Sequence, residues 1–149
     1  MPKDPKPDKP NQCAEAWLAL RSTHNRIANA LSAHLVADCA LSLSEFDAML
    51  ALHLNGGEAT SMTEITQAVD LSQPALSRLI ARLTERSLIE RARNEADGRI
   101  VSLRLTESGQ TLIAQAIGVH TEVVRDALDQ HLRPKDQRRL LEILERINP

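Results

Sequence analysis

Residues 71–109 read LSQPALSRLIARLTERSLIERARNEADGRIVSLRLTESG, and this stretch decides the fold. Leu76, Leu79, Ile80 and Leu83 recur at helical spacing, which predicts one apolar stripe on a helix. Ser72 stands where an N-cap belongs, and Pro74 is tolerated in the first turn because its missing N–H has no helical partner there. The opposite face carries Pro74, Ala75, Arg78, Arg82 and Glu85, with Ser77 on its flank. Small residues and arginines on an outer face permit close approach to a nucleic-acid groove and its phosphates. The plainer alternative is an amphipathic surface helix whose arginines are simply solvated.

The segment after the helix favours the sharper reading. Leu88 to Arg93 is short and mixed, and Asn94-Glu95-Ala96-Asp97-Gly98 is a turn signal. Val101, Leu103 and Leu105 then alternate with Ser102, Arg104 and Thr106, the period of a half-buried strand. A hairpin directly after such a helix is the plan of a winged helix-turn-helix. Arg99 falls just past the turn, placed for a minor groove, and Asp97 either pairs with an arginine or simply forms the turn. Upstream, Ser61-Met62-Thr63-Glu64 fits a capping box that opens a short helix with Ile65, Ala68 and Val69. Asp70-Leu71-Ser72 supplies a tight turn and Gln73 begins the next helix, so one helix would support another in the major groove.

The flanks read as helices. In 12–38, Trp17, Leu20, His24, Ile27, Leu31 and Leu35 trace one stripe. Ser42-Leu43-Ser44-Glu45 is a second capping box, and Asn55-Gly56-Gly57 ends the helix it opens. Thr106 can cap a long helix that Arg133-Pro134 breaks, and a last helix carries Leu140, Leu141, Ile143, Leu144 and Ile147. Two terminal helices hold more apolar surface than a small lobe can cover, so a homodimer is expected. The fold class is mainly α (α+β): a winged helix-turn-helix with long N- and C-terminal dimerisation helices. The expected division is a flexible tail at 1–11 and one domain at 12–149. Within it, 42–105 forms the DNA-binding lobe, and 12–38 and 106–149 form the dimerisation helices.

Net charge is −2, which by itself argues against a nucleic-acid partner. The distribution answers this: seven arginines and four acids give residues 71–105 a net +3, while 12–70 carry −5. A local field matters more to a polyanion than the total. One tryptophan, one phenylalanine and no tyrosine leave no platform for stacking unpaired bases, which favours double-stranded DNA. No apolar run is long enough to span a membrane and the polar, proline-rich start does not read as a leader, so a cytoplasmic protein is expected. No Walker loop, nucleophile elbow or zinc-protease motif occurs, so neither an enzyme nor a cofactor is expected.

The run LSQPALSRLIARLTERSLIER, with Asp97 and Arg99 and then Leu105, Thr106 and Gly109, resembles the MarR family of bacterial transcriptional regulators. AWLAL at 16–20 and LSLSEFDAMLAL at 41–52 resemble its first two helices. Ser87 departs from the pattern: the family has glycine after the recognition helix, where φ > 0 is wanted, so strain is expected there. The resemblance implies a DNA-binding regulator, usually a repressor. It would bind as a homodimer to a pseudo-palindromic operator with half-sites about 10 bp apart. DNA contacts would come from Ser72, Gln73, Pro74, Ala75, Ser77, Arg78, Arg82, Asp97 and Arg99. A small aromatic or phenolic effector is implied as well, with Trp17, Arg21, His24 and Phe46 as pocket candidates and core packing as the alternative for Trp17. Some relatives sense peroxides through a cysteine near the start of the first helix, where Cys13 lies, but they activate it with tyrosines that this chain lacks. A zinc-sensing branch exists too, yet the five histidines show no ligand spacing on one helix face, so no metal is expected. The competing class is a ligand-binding helical dimer without DNA binding, which the negative total charge and Ser87 favour.

Overall fold

The computed structural model describes residues 11–93 and 101–148. Among the described residues, six helices and three strands follow one another as α1 (Gln12–Cys39), α2 (Leu43–Leu54), β1 (Thr60–Ser61), α3 (Met62–Ala68), α4 (Gln73–Glu85), β2 (Ile89–Arg93), β3 (Val101–Leu105), α5 (Glu107–Asp129) and α6 (Pro134–Glu145). The fold class read from the sequence is borne out: a helical frame carries a small antiparallel sheet of order β1-β3-β2.

Local chemistry sets most boundaries. Ser42 and Ser61 both form complete capping boxes, with Glu45 and Glu64 returning to the cap N–H groups. Thr106 Oγ1 accepts from Gly109 N–H at 3.0 Å and opens α5. Gly56 and Gly57 follow α2 with φ of 69° and 87°, conformations that cost glycine little. Ser87 has φ 57°, so the strain expected there is present. It sits in a Schellman arrangement: Ser87 N–H donates to Thr84 O and Leu88 N–H to Leu83 O, with buried Leu83 and Leu88 completing the apolar contact.

Two local expectations need correction. Ser72 occupies the N-cap position of α4, but its side chain makes no capping bond; only its carbonyl serves, accepting from Leu76 N–H. Ser102, expected on the outer face of its strand, is buried. The reason is β1, a two-residue strand that the sequence reading missed. It makes β3 the central strand and sets Ser102 between Ser61 and Ala92 in register, where small neighbours pack over it.

One core fills the space between these elements. Leu35, Phe46, Met49, Ile65, Leu76, Leu83, Leu103 and Ile113 meet there, drawn from α1 to α5 and from the sheet. α6 contributes no buried residue.

Candidate nucleic-acid interface

α3, the turn after it and α4 form the helix-turn-helix. Leu71 N–H donates to Val69 O within the turn, and Gln73 Nε2 donates to Thr66 Oγ1 at 3.4 Å, tying the start of α4 to α3. Leu76, Leu79, Ile80 and Leu83 are buried along one side of α4. Ser72, Gln73, Pro74, Ser77, Arg78 and Arg82 are exposed and Ala75 is half-buried. Ala81, which the sequence reading passed over, also lies on the exposed side between Ser77 and Glu85. The outer face is therefore low and small-chained at Pro74, Ser77 and Ala81, with arginine at 78. That is the relief a helix needs to enter a major groove.

Arg82 is less free than expected. Its Nε lies 3.4 Å from Glu45 Oε1, and Arg86 Nη1 lies 3.8 Å from Glu45 Oε2. Burial opposes the Glu45 charge. The hydrogen bonds from Ser42 and Arg82 outweigh it and hold the carboxyl below the usual glutamate range. Local spacing marks Glu45 as a capping residue but carries no trace of its reach to α4, since 37 residues separate the partners. Arg78 makes no ion pair among the described residues.

The wing strands flank α4. β2 and β3 pair from Ile89↔Leu105 to Arg93↔Val101, and Glu90 and Arg104, directly opposite, form a 2.7 Å ion pair on the exposed face. Asp97 and Arg99 lie outside the described residues. Between α4 and the sheet runs a groove of about 420 Å³ lined by Met62, Ser77, Ile80, Ala81, Thr84, Arg91 and Leu103, most of its wall apolar.

The four residues expected around an effector are not gathered within the protomer. Trp17, Arg21 and His24 are exposed on the first half of α1. Phe46 is only 1% exposed and stacks on His120 with ring centroids 5.1 Å apart. Leu35, which shares the core with Phe46, lies 18 residues beyond Trp17, about 27 Å along a helix. Phe46 is core, whereas Trp17, at 57% exposure, is not core within this chain. Cys13 is exposed and Cys39 buried, with the Cys39 thiol pushed up by burial and by Asp38. They stand at opposite ends of α1. Among the described residues, no helix is long and apolar enough to cross a membrane, and no cluster of ligating side chains could hold a metal.

A supported helix with an open outer face, followed by a three-stranded sheet ending in a hairpin, defines a winged helix-turn-helix protein. The MarR family model matches residues 41–100, from the start of α2 into the wing. PecS of Dickeya dadantii, an HTH-type transcriptional regulator, is 33% identical over 89 residues, covering 59% of this chain and 54% of PecS. The chain thus spans about half the length of this curated relative. Among solved structures, Sco3205 of Streptomyces coelicolor, a MarR family transcriptional regulator in complex with DNA, superposes with a TM-score of 0.83 at 20% identity, over 98% of this chain and 91% of that one. BpsR of Bordetella bronchiseptica, whose DNA binding is regulated by 6-hydroxynicotinic acid, gives 0.77 at 21% identity, over 91% and 99%. Over residues 41–100 the chain is similar to the MarR family, and its fold is that of the family's solved members.

Proposed function

We propose that the protein is a homodimeric transcriptional regulator, a repressor, that binds a pseudo-palindromic duplex operator and is released by a small aromatic acid. The observation that carries this reading is α4 itself: four buried leucine and isoleucine side chains fix it to the body while Pro74, Ser77, Arg78 and Ala81 stand exposed. Gln73, Pro74, Ala75, Ser77, Arg78 and Arg82 face the major groove or its phosphates, Ser72 a flanking phosphate, and Arg99 the minor groove, with Asp97 beside it in sequence. The complex of Sco3205 with DNA supports the partner.

The chain leaves apolar surface open at both of its ends. Trp17, Leu18, Leu140, Leu141, Ile143 and Ile147 are exposed apolar side chains at the two ends of the chain. A second copy covers them, and two-fold symmetry then sets two recognition helices about one turn of DNA apart, roughly 34 Å. The regulation of BpsR by 6-hydroxynicotinic acid supports an aromatic acid as effector. The groove beside α4 has the chemistry for one: an apolar wall, the Arg91 cation and the hydroxyls of Ser77 and Thr84.

Selection of random duplexes by the purified protein tests this. A palindromic sequence should be enriched, and Arg78→Ala should relax preference at one position per half-site by about 1–3 kcal/mol. Failure to enrich any sequence would leave the ligand-binding dimer as the better reading.

A further inference from the structure

Glu45 does more than its place in a capping box requires. Its carboxylate is buried in α2, anchored by Ser42 N–H at 2.8 Å, while its own N–H donates to Ser42 Oγ at 3.2 Å. From this fixed point it meets Arg82 and Arg86, one helical turn apart on the far end of α4. Both arginines remain partly in solvent, with Arg82 56% exposed, so their guanidinium groups lie between a buried anion and open surface. One carboxylate therefore restrains two long side chains at the edge of the reading face. It also subtracts one charge from the pair.

We propose that Glu45 is a positioning residue for DNA recognition, holding Arg82 and Arg86 in one arrangement so that they contribute to sequence choice rather than to indiscriminate phosphate binding. This rests on the DNA-binding reading above. The physical basis is the different character of the two kinds of contact. A mobile arginine finds a phosphate on any duplex, whereas a restrained one rewards only a duplex whose backbone and base edges meet it where it stands. Restraint from within the protein also means that less side-chain freedom is lost on binding. The tie is not surface decoration, because a buried and hydrogen-bonded carboxylate is far less screened than an exposed pair.

The test uses the full-length protein, the operator duplex enriched by selection and a scrambled duplex of equal length, with binding followed by fluorescence anisotropy over a range of salt. Glu45→Gln keeps the size of the side chain and an oxygen for Ser42 N–H but removes the anion. Its affinity for the scrambled duplex should rise, with a salt dependence steeper by up to about one phosphate contact. Discrimination between the two duplexes should fall by about tenfold, within the range of one lost specific contact. In an Arg82→Gln/Arg86→Gln background, the same change should alter neither quantity. Equal weakening on both duplexes with an unchanged salt slope, or an undiminished effect without the arginines, would show that Glu45 only stabilises α2 and would overturn the proposal.

Arg82→Lys supplies a fold-safe second arm, since the residue is exposed and keeps its charge. Its ratio of operator to scrambled-duplex affinity should fall, because the Nε–H that meets Glu45 is gone. Full discrimination by this variant would also overturn the proposal. A wild-type protein that selects no sequence would overturn the DNA-binding reading itself, and this inference with it. Loss confined to the variants therefore separates the two failures.

Discussion

The lobe from α2 to β3 and the helices at the two ends of the chain treat their apolar side chains in opposite ways. In the lobe, Phe46, Met49, Leu52, Ile65, Leu76, Leu79, Leu83 and Leu103 are all at or below 1% exposure. At the ends, Leu18 and Leu141 each keep about half of their surface, and α6 buries nothing, although its three leucines and Ile143 fall largely on one side. The sequence patterns of the two regions are alike, since both show clear helical periodicity. The difference lies in what the stripe meets. α4 lies against a sheet and neighbouring helices of the same chain, whereas among the described residues α6 and the first half of α1 have no such cover. An apolar stripe predicts a partner surface without saying whether that surface belongs to the same chain.

The contrast is broken most forcefully at α6. If a second copy covers this face, Leu141→Lys should lower dimer stability by roughly 3–6 kcal/mol, since each of two symmetric leucines loses about 1.5–3 kcal/mol of burial. Sedimentation equilibrium should then find monomers at concentrations where the parent is dimeric. Trp17, the one tryptophan, gives a parallel readout: its emission should shift to the red if α1 loses cover together with α6. An unchanged association constant would remove α6 from the interface. In the lobe, Leu76→Ala should cost about 2–5 kcal/mol in urea unfolding, because the side chain is fully buried and leaves a cavity. That loss should persist in the Leu141→Lys background, where no partner is left to contribute. If it did not, the lobe would depend on the dimer for its folding.

Asp47 sharpens the comparison through pH. It stands half-buried on α2, and burial raises its pKa while His120 of α5 pulls it back in part. The ionised form is therefore penalised in the folded protein. A raised pKa means that this penalty is absent below the unfolded value, about 3.9, and fully present above the folded value. Asp47→Asn, which resembles the protonated acid, should raise Tm by a few degrees at pH 7, and the gain should shrink toward nothing as pH falls to about 4. A gain that persisted at pH 4 would show that packing rather than charge is responsible.

Much of this was legible in the chain. The caps at Ser42, Ser61 and Thr106, the stripe of α4 and the strand at 101–105 are local signals, and each appears where the spacing put it. What escaped was non-local. β1 is too short to show any period, and only its pairing with β3 explains why Ser102 is buried. The Glu45–Arg82 tie joins residues that only the packing of α2 beside α4 brings together. Trp17 and Phe46, both expected around an effector, are not brought together within one chain, because the stripe of α1 runs most of the helix's length before it reaches the core that holds Phe46. Residues on one helix stripe can share chemistry and still be separated by the helix's length.

Ser87 marks the joint between the two regions. Its backbone ends α4, and its carbonyl accepts from Thr106 Oγ1 at 2.7 Å and Ser108 Oγ at 2.9 Å, so α4 is fastened to the start of α5. Packing is close at this point, since a side chain on Gly109 would collide with the Leu88 carbonyl. Serine holds the left-handed conformation that glycine adopts with less steric cost, and its described hydrogen bonds run through the backbone, so Ser87→Gly sacrifices no side-chain contact among them. The unfolded chain gains freedom from glycine, which offsets part of the relief. The net expectation is a gain of about 0.5–1 kcal/mol in urea unfolding. Dimer dissociation should not change, because the strain belongs to the lobe and its bonds to α5 use a carbonyl that glycine retains. A shift in dimer affinity with this variant would mean that strain at the end of α4 is felt at the ends of the chain, and the two regions would have to be treated as one coupled body.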